Sequence, residues 1–519
     1  LDVTTQAAIL DLFRDLTADR QTAVLYVTHN LGVVATLCDQ VAVLYAGELV
    51  EDAPAGQLFN QPLHPYTAGL LDSIPRIGQT KSEVTLQAIP GHIPPLSERP
   101  SGCVFAPRCT LAIEVCQGER PSLEKVTPGH AVSCYRWPEI ATGEIATYQE
   151  PAGLAPPVVP EIDGTILQVN DLKVYFDLGR TLSEVLRRRP QQVVRAVDGV
   201  DLNLDKAQTL GIVGESGSGK TTLARAIVGL AQRTEGEIEL LGFKLPADLF
   251  SRSDETLRHL QYVFQNPDEA LNPYMTIGQT LARPFISLLG MTREEADQQI
   301  AGMLEAVRLP QSYAGRYPAQ LSGGEKQRVA IARAFATAPD LLLADEPVSA
   351  LDVSVQASIL NLLRDLQHEN RNSLVFISHD LAVVGYLADQ IAVMYLGRIM
   401  EIVDSTRLFT PPLHPYTEAL LASIPQIEPR ETELGEPLAG EVPADSSVEY
   451  DASAGIHRLA SSPDGTTLLV GADRGAARLV PLDGRASARL GSLTGVYSVG
   501  FSSDGRYAVA AGVQGDTAT

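Results

Sequence analysis

Short runs of leucine and β-branched residues are separated along this chain by longer stretches with a helical apolar period. From Ile166 onward the runs LQVNDLKVYF, TLGIV, LLLAD and SLVFIS alternate with TTLARAIVGL and VQASILNLLRDL. Runs of this kind predict strands. Helices between them predict a mainly parallel sheet covered by helices. No apolar run approaches the roughly 20 residues a bilayer-spanning helix needs, so any membrane contact is expected to be made through partners.

The pattern also repeats. LDVTTQAAILDLFRDL at Leu1 returns as LDVSVQASILNLLRDL at Leu351, an offset of 350 positions. The same offset carries His29 to His379, HPYT at His64 to HPYT at His414, and Ser73-Ile74-Pro75 to Ser423-Ile424-Pro425. A duplicated unit is the simplest account, the first copy starting at the point that corresponds to Leu351. Leu1 opens a periodic apolar segment without the charged start of a signal peptide, so the chain reads as incomplete. Residues 141–164, rich in Pro, Ala and Gly, form a linker between the copies. After Pro443 small and polar residues take over, with SPDG at Ser462 and SSDG at Ser502, 40 residues apart. This stretch resembles a WD-repeat blade, with Val480-Pro481 where the Trp-Asp pair would stand. One and a half blades do not close a propeller, and a poorly ordered tail is expected.

Composition narrows the classes. A chain of 519 residues exceeds one core and implies two to four domains. With 45% apolar and 20% charged residues it is an ordinary globular protein. Its net charge of −23, with no basic stretch beyond Arg187-Arg188-Arg189, argues against nucleic acid as a partner. Five cysteines are too few for a disulfide scaffold, yet four of them fall between Cys103 and Cys134.

GESGSGKT at residues 214–221 satisfies the P-loop pattern between an apolar strand and a helix. Gly214, Gly217 and Gly219 let the backbone curl so that the N–H groups of this stretch, through Glu215, Ser216 and Ser218, turn toward phosphate, and the helix N-terminus adds positive dipole. Lys220 is expected on the β- and γ-phosphates, the Thr221 hydroxyl on Mg²⁺ and Thr222 on the α-phosphate side. LLLADEP at residues 341–347 delivers two acids to the end of a buried strand. Asp345 is expected to hold Mg²⁺ through water and Glu346 to act as general base on the attacking water.

LSGGEKQRVAIARA at residues 321–334 resembles the signature motif of the ABC ATPases. With the P-loop, the ADEP strand, Gln265 in VFQNP and His379 in FISHD it completes that family's set in the family's order. The resemblance implies ATP hydrolysis, a P-loop α/β ATPase fold with antiparallel β and helical subdomains, and a head-to-tail dimer with a second ABC ATPase domain. In that dimer Ser322, Gly323, Gly324 and Glu325 cover the γ-phosphate held by the partner; Glu325 replaces the glutamine most often seen there. Gln265 would sense Mg²⁺ and the attacking water, His379 would hold the γ-phosphate and orient Glu346, and Leu351-Asp352 would form the loop that meets the partner. Phe176, or Tyr175 beside it, would lie under adenine or be strand packing. Of this set the first copy retains His29 and Leu1-Asp2, and it is expected not to bind nucleotide.

Residues 64–137, from HPYTAGLLDSIPRI through PSGCVFAPRC to SCYRW, resemble the C-terminal extension of ATPase subunits that serve oligopeptide, dipeptide and nickel importers. That resemblance implies integral-membrane permease subunits, indirectly a substrate-binding protein, and a peripheral place on the cytoplasmic face of the inner membrane. The rivals are a soluble ABC ATPase without a permease and a scaffold built on the WD-like tail. Cys103, Cys109, Cys116 and Cys134, separated by five, six and seventeen residues, suit Zn²⁺ or an iron–sulfur cluster. Some importer subunits hold a [4Fe–4S] cluster on cysteines so arranged, which makes the cluster the leading reading, with Zn²⁺ or four small buried hydrophobes as alternatives. The domains then read as a remnant of a first ABC ATPase domain (1–63), an extension with four cysteines (64–140), a linker (141–164), a complete second ABC ATPase domain (165–410), a truncated extension (411–445) and a WD-like fragment (446–519).

Overall fold

A computed structural model describes residues 6, 9–10, 12–14, 17, 22–91, 93–94, 99–147, 164–177, 193–349, 351–410 and 413–424, and the backbone of strands between 456 and 518. Leu1 and Asp2, most of the linker, the insert at 178–192 and the second extension from Pro425 lie outside the described residues.

In the first unit β1 (Gln40–Tyr45), β2 (Glu48–Pro54), β3 (Glu124–Thr127) and β4 (His130–Val132) form an antiparallel sheet in the order β1-β2-β4-β3. Exposed and buried residues alternate along β1, as expected of a strand with one wet face. The second unit opens with a second antiparallel sheet, ordered β6-β5-β8-β9, made of β5 (Thr165–Asp177), β6 (Val193–Asp205), β8 (Glu235–Leu240) and β9 (Phe243–Lys244). Its main sheet comprises β7 (Thr209–Val213), β10 (Leu260–Val263), β11 (Leu341–Asp345), β12 (Ser373–Ile377), β13 (Gln390–Tyr395) and β14 (Arg398–Asp404), in the order β10-β11-β12-β7-β13-β14. Every pair in it is parallel except β13 with β14. Every residue of β7, β11 and β12 is buried, which is why these segments read as continuous apolar runs rather than alternating ones.

A helical layer flanks the sheet. Helices Ile277–Leu289 and Arg293–Ala306 each start at a threonine capping box, Thr276 with Gln279 and Thr292 with Glu295. Their inner faces, including Ile277, Leu281, Ala296 and Leu304, join one core with the helix Val353–Asn370.

The repeat has a structural counterpart. β1 pairs with β2, and β13 with β14, in the same register, with the same irregularity after Val43 and after Val393. HPYT serves the same local purpose twice. His64 and His414 cap a helix by accepting from the N–H of Tyr66 and Tyr416, with proline in the first turn. The tyrosines then pack in tilted pairs, Tyr66 against Tyr45 at 4.7 Å and Tyr416 against Tyr395 at 4.5 Å. Glu51 and Glu401 anchor the two motifs by accepting from the backbone N–H of His64 and His414. The likeness ends at Leu25 and Val27, 92% and 89% exposed, where the corresponding Val375 and Ile377 lie buried in β12.

In the tail the described backbone forms strands. They comprise an antiparallel meander of four strands between Ile456 and Leu490 and a further three-stranded sheet between Gly495 and Ala518.

Candidate functional site

Parallel topology brings the chemistry together. The neighbouring strands β10, β11, β12 and β7 end at Val263, Asp345, Ile377 and Val213, so Gln265, Glu346, His379 and the P-loop leave one edge of the sheet. Ligands of open parallel sheets bind outside these carboxyl ends.

The P-loop's curl needs glycine at two places in particular. Gly214 and Gly219 have φ of 152° and 102°, and a Cβ at either would stand 2.1 Å from the carbonyl oxygen of Met394 or Ala196. Lys220 begins the helix Lys220–Val228 and is buried, donating to the carbonyls of Gly214 and Glu215 at 2.7 Å each. Ser218 Oγ is buried without a hydrogen-bond partner among the described residues, while Ser216 and Gly217 at the tip are exposed. Thr221 and Thr222 occupy the next two helical positions, and the Thr221 hydroxyl donates to Asp345 Oδ1 at 3.1 Å.

Asp345 is 1% exposed and accepts a second hydrogen bond, from Tyr262 at 2.7 Å. Burial, with the Glu346 charge adding to it, pushes its carboxyl up against the lowering by Tyr262 and Thr221. Glu346 has a left-handed φ of 43° and donates its N–H to Ile377. A bulky residue held there stores backbone strain at the point where the chemistry needs direction. Its Oε2 accepts from Gln265 Nε2 at 3.0 Å and lies 3.3 Å from His379 Nδ1. Burial pushes the Glu346 carboxyl up, but the hydrogen bond and charge of His379, with Lys220 and Ser349, outweigh it and hold the carboxyl below its usual range. The same hydrogen bond to Glu346 holds the His379 imidazole above its ordinary value, against burial.

A pH signature follows. A raised imidazole contributes stability that is complete below its ordinary value of about 6.5 and is lost as pH rises through the folded value. Glu346, held low, contributes stability that is complete above the ordinary carboxylate value and is lost as pH falls through its folded one. The Tm advantage of the parent over His379→Ala, without nucleotide, is therefore expected to be largest between about pH 4.5 and 6.5 and to shrink at higher pH. An advantage that stays constant from acid to alkaline pH would show that no charged pair forms.

The signature stretch starts the helix Gly323–Phe335. Ser322 caps it in a reciprocal box: its N–H and hydroxyl donate to Glu325 Oε2 at 2.7 and 2.9 Å, and the Glu325 N–H returns to Ser322 Oγ at 3.4 Å. Tyr313 donates to the other Glu325 oxygen at 2.7 Å. The departure from glutamine at this position thus has a local physical use. Ser322 and Gly323 are exposed, whereas a Cβ on Gly324 would meet Val355 at 2.5 Å.

Of the two aromatic candidates, Tyr175 is engaged elsewhere. It donates to Asp198 and lies 5.7 Å under the Arg195 guanidinium, and burial, with that hydrogen bond, pushes its hydroxyl up to about 12. Phe176 stays 46% exposed and pairs with Val194 on β6, the strand whose Ala196 carbonyl abuts the P-loop. Two site residues have no signal in the family motifs. Tyr262 reads as strand packing, and Tyr416, whose hydroxyl accepts from the Glu215 N–H at 3.2 Å, links HPYT to the P-loop.

In the first unit Cys103, Cys109, Cys116 and Cys134 line one small pocket with His64, Phe105 and Arg136. Burial, together with the charges of the other cysteines, pushes Cys109 up to about 11 and Cys134 to about 12. Among the described residues no three His, Cys, Asp or Glu side chains converge where a single metal ion would sit.

A family model described as "ABC transporter" matches residues 197–349. One described as "Oligopeptide/dipeptide transporter, C-terminal region" matches 50–116 and again 400–451. With the geometry above, these matches define an ATP-hydrolysing cassette of the ABC type. The Oligopeptide transport ATP-binding protein OppD of Mycobacterium tuberculosis is 42% identical over 432 residues, 83% of this chain and 69% of that protein. The Glutathione import ATP-binding protein GsiA of Escherichia coli (strain K12) is 36% identical, over 83% of this chain and 60% of that protein. A solved bacterial ABC transporter cassette, MJ0796, is 29% identical and covers 46% of this chain and 99% of its own, with a TM-score of 0.41. The chain belongs to the family of ABC transporter ATP-binding proteins of the oligopeptide and dipeptide importer type. No described helix is long and apolar enough to cross a membrane.

Proposed function

We propose that this chain powers the import of peptides or related small solutes, working on the cytoplasmic face of the inner membrane beneath integral-membrane permease subunits that a substrate-binding protein loads. The observation that carries the reading is the convergence of Gln265 and His379 on one oxygen of Glu346, beside the Thr221–Asp345 pair. In this reading the P-loop and Lys220 hold the triphosphate, Phe176 stacks on adenine, and Ser322, Gly323, Gly324 and Glu325 close over nucleotide bound by a second ABC ATPase domain. Glu346, held ionised by His379, takes the proton of the attacking water. Thr221, Asp345 and Gln265 offer hard oxygen donors that fit Mg²⁺; when bound, the ion neutralises charge developing on the phosphates.

Co-expression with the permease subunits of a peptide importer is expected to give a membrane-bound complex whose ATPase rate rises with loaded substrate-binding protein. ATPase activity that stays off the membrane and responds to nucleic acid or ribosomes would overturn the reading.

We further infer that Cys103, Cys109, Cys116 and Cys134 hold a [4Fe–4S] cluster. The four cysteines line one small pocket, and four sulfur donors gathered there are the ligand set that such a cluster takes. Protein purified without oxygen is expected to be brown and to lose its colour in the Cys109→Ser variant. A colourless preparation containing one zinc would refute the cluster.

A further inference from the structure

Residues 79–88 run between the first HPYT helix and the cysteine pocket, yet they lie on the second ATPase domain. The Lys81 N–H donates to the Tyr386 carbonyl at 2.7 Å, and Lys81 Nζ reaches Asp389 at 2.9 Å and Thr209 Oγ1 at 3.1 Å. Tyr386 donates its hydroxyl to the Val84 carbonyl at 3.1 Å, Arg364 donates to Thr85 Oγ1 at 2.9 Å, and Asn361 donates to the Leu86 carbonyl at 2.7 Å. Leu86 is 3% exposed within the core of the second domain, with Ala88 packed beside it. An ion pair with Lys81 12% exposed and a leucine in the core make this a built contact rather than a brush between surfaces.

We propose that this segment is a clasp selective for the second ATPase domain, binding the first unit's extension across to it in preference to the corresponding surface of the first unit. The repeat supplies the comparison. On the receiving surface Asn361, Gln367 and Tyr386 correspond, 350 positions earlier, to Asp11, Thr17 and Thr36. A carboxylate at the Asn361 position has no proton to give the Leu86 carbonyl and would oppose it, and a threonine lacks the reach of the Tyr386 hydroxyl. The surface of the second unit is thus matched to the clasp, and its counterpart in the first unit is not. The two helices it grips, Val353–Asn370 and Leu381–Leu387, begin at Asp352 and directly after His379-Asp380. The cysteine pocket is thereby tied to the elements that carry the site.

Hydrogen exchange on the intact chain tests this. Peptides covering 80–88 and 381–387 are expected to be protected, and Lys81→Glu/Leu86→Glu is expected to speed their exchange at least about tenfold while P-loop and signature peptides keep their rates. Asn361→Asp, made on the opposite side of the contact, should likewise release 80–88. Free exchange of 80–88 in the parent would overturn the clasp. Unchanged exchange in both variants would overturn its selectivity and the proposal with it.

Discussion

Glu346→Gln is expected to lower ATP turnover by about 10²- to 10⁴-fold, the range a positioned general base contributes, while ATP binding is retained. The substitution keeps the size of the side chain and its place at the end of β11 but removes the carboxylate that accepts from both Gln265 and His379. With no negative charge opposite, His379 also loses the main influence that holds its imidazole up. Steady-state phosphate release and titration with a fluorescent ATP analogue separate the two effects. A variant that turns over within threefold of its parent would remove Glu346 from the proton-transfer step and place the base elsewhere.

The second large effect is expected from Lys220→Ala, which should weaken ATP binding by on the order of 10²-fold, equivalent to about 3 kcal/mol for a charge-assisted contact. Lys220 is buried, and its ammonium bridges the carbonyls of Gly214 and Glu215 across the loop. Truncation therefore removes both the positive charge that meets phosphate and a tie that shapes the loop. Lys220→Met keeps the stem without the charge and separates these contributions: a loss equal to that of alanine assigns the effect to charge. Unaltered ATP binding and hydrolysis in Lys220→Ala would refute phosphate capture by this loop and the hydrolytic mechanism that depends on it.

The extension introduces a dependence that the ATPase motifs do not carry. The hydroxyl of Tyr416 meets the Glu215 N–H, so the helix that HPYT starts is part of the wall behind the P-loop. In the first unit Tyr66 packs against Tyr45 as Tyr416 does against Tyr395. One short motif thus builds the same cap twice, and in the second unit that cap stands behind the phosphate loop.

The segments legible in the sequence are those whose information is local. The runs of β7, β11 and β12 announce a buried parallel sheet because every position in them except the terminal Asp345 is apolar or small. GESGSGKT announces a phosphate loop because glycine is required where φ is positive and a Cβ would strike a carbonyl. Even Glu325 is local in this sense, since Ser322 three residues before it completes a capping box.

What only the tertiary structure decided is which distant residues share an atom. Gln265, Glu346 and His379 come from three strand ends, and nothing local in their motifs states that two of them meet one carboxylate oxygen. Four cysteines in 32 residues suggest a shared purpose, but the enclosing pocket is made by packing. Tyr175 is held by Asp198, which strand pairing brings alongside it. Lys81 meets Asp389 across 308 positions, and no periodicity reports so distant a pairing. Sequence fixes backbone preference and burial along a segment, because these depend on near neighbours. Partners across the fold are chosen only when the whole sheet and its helices have closed around them.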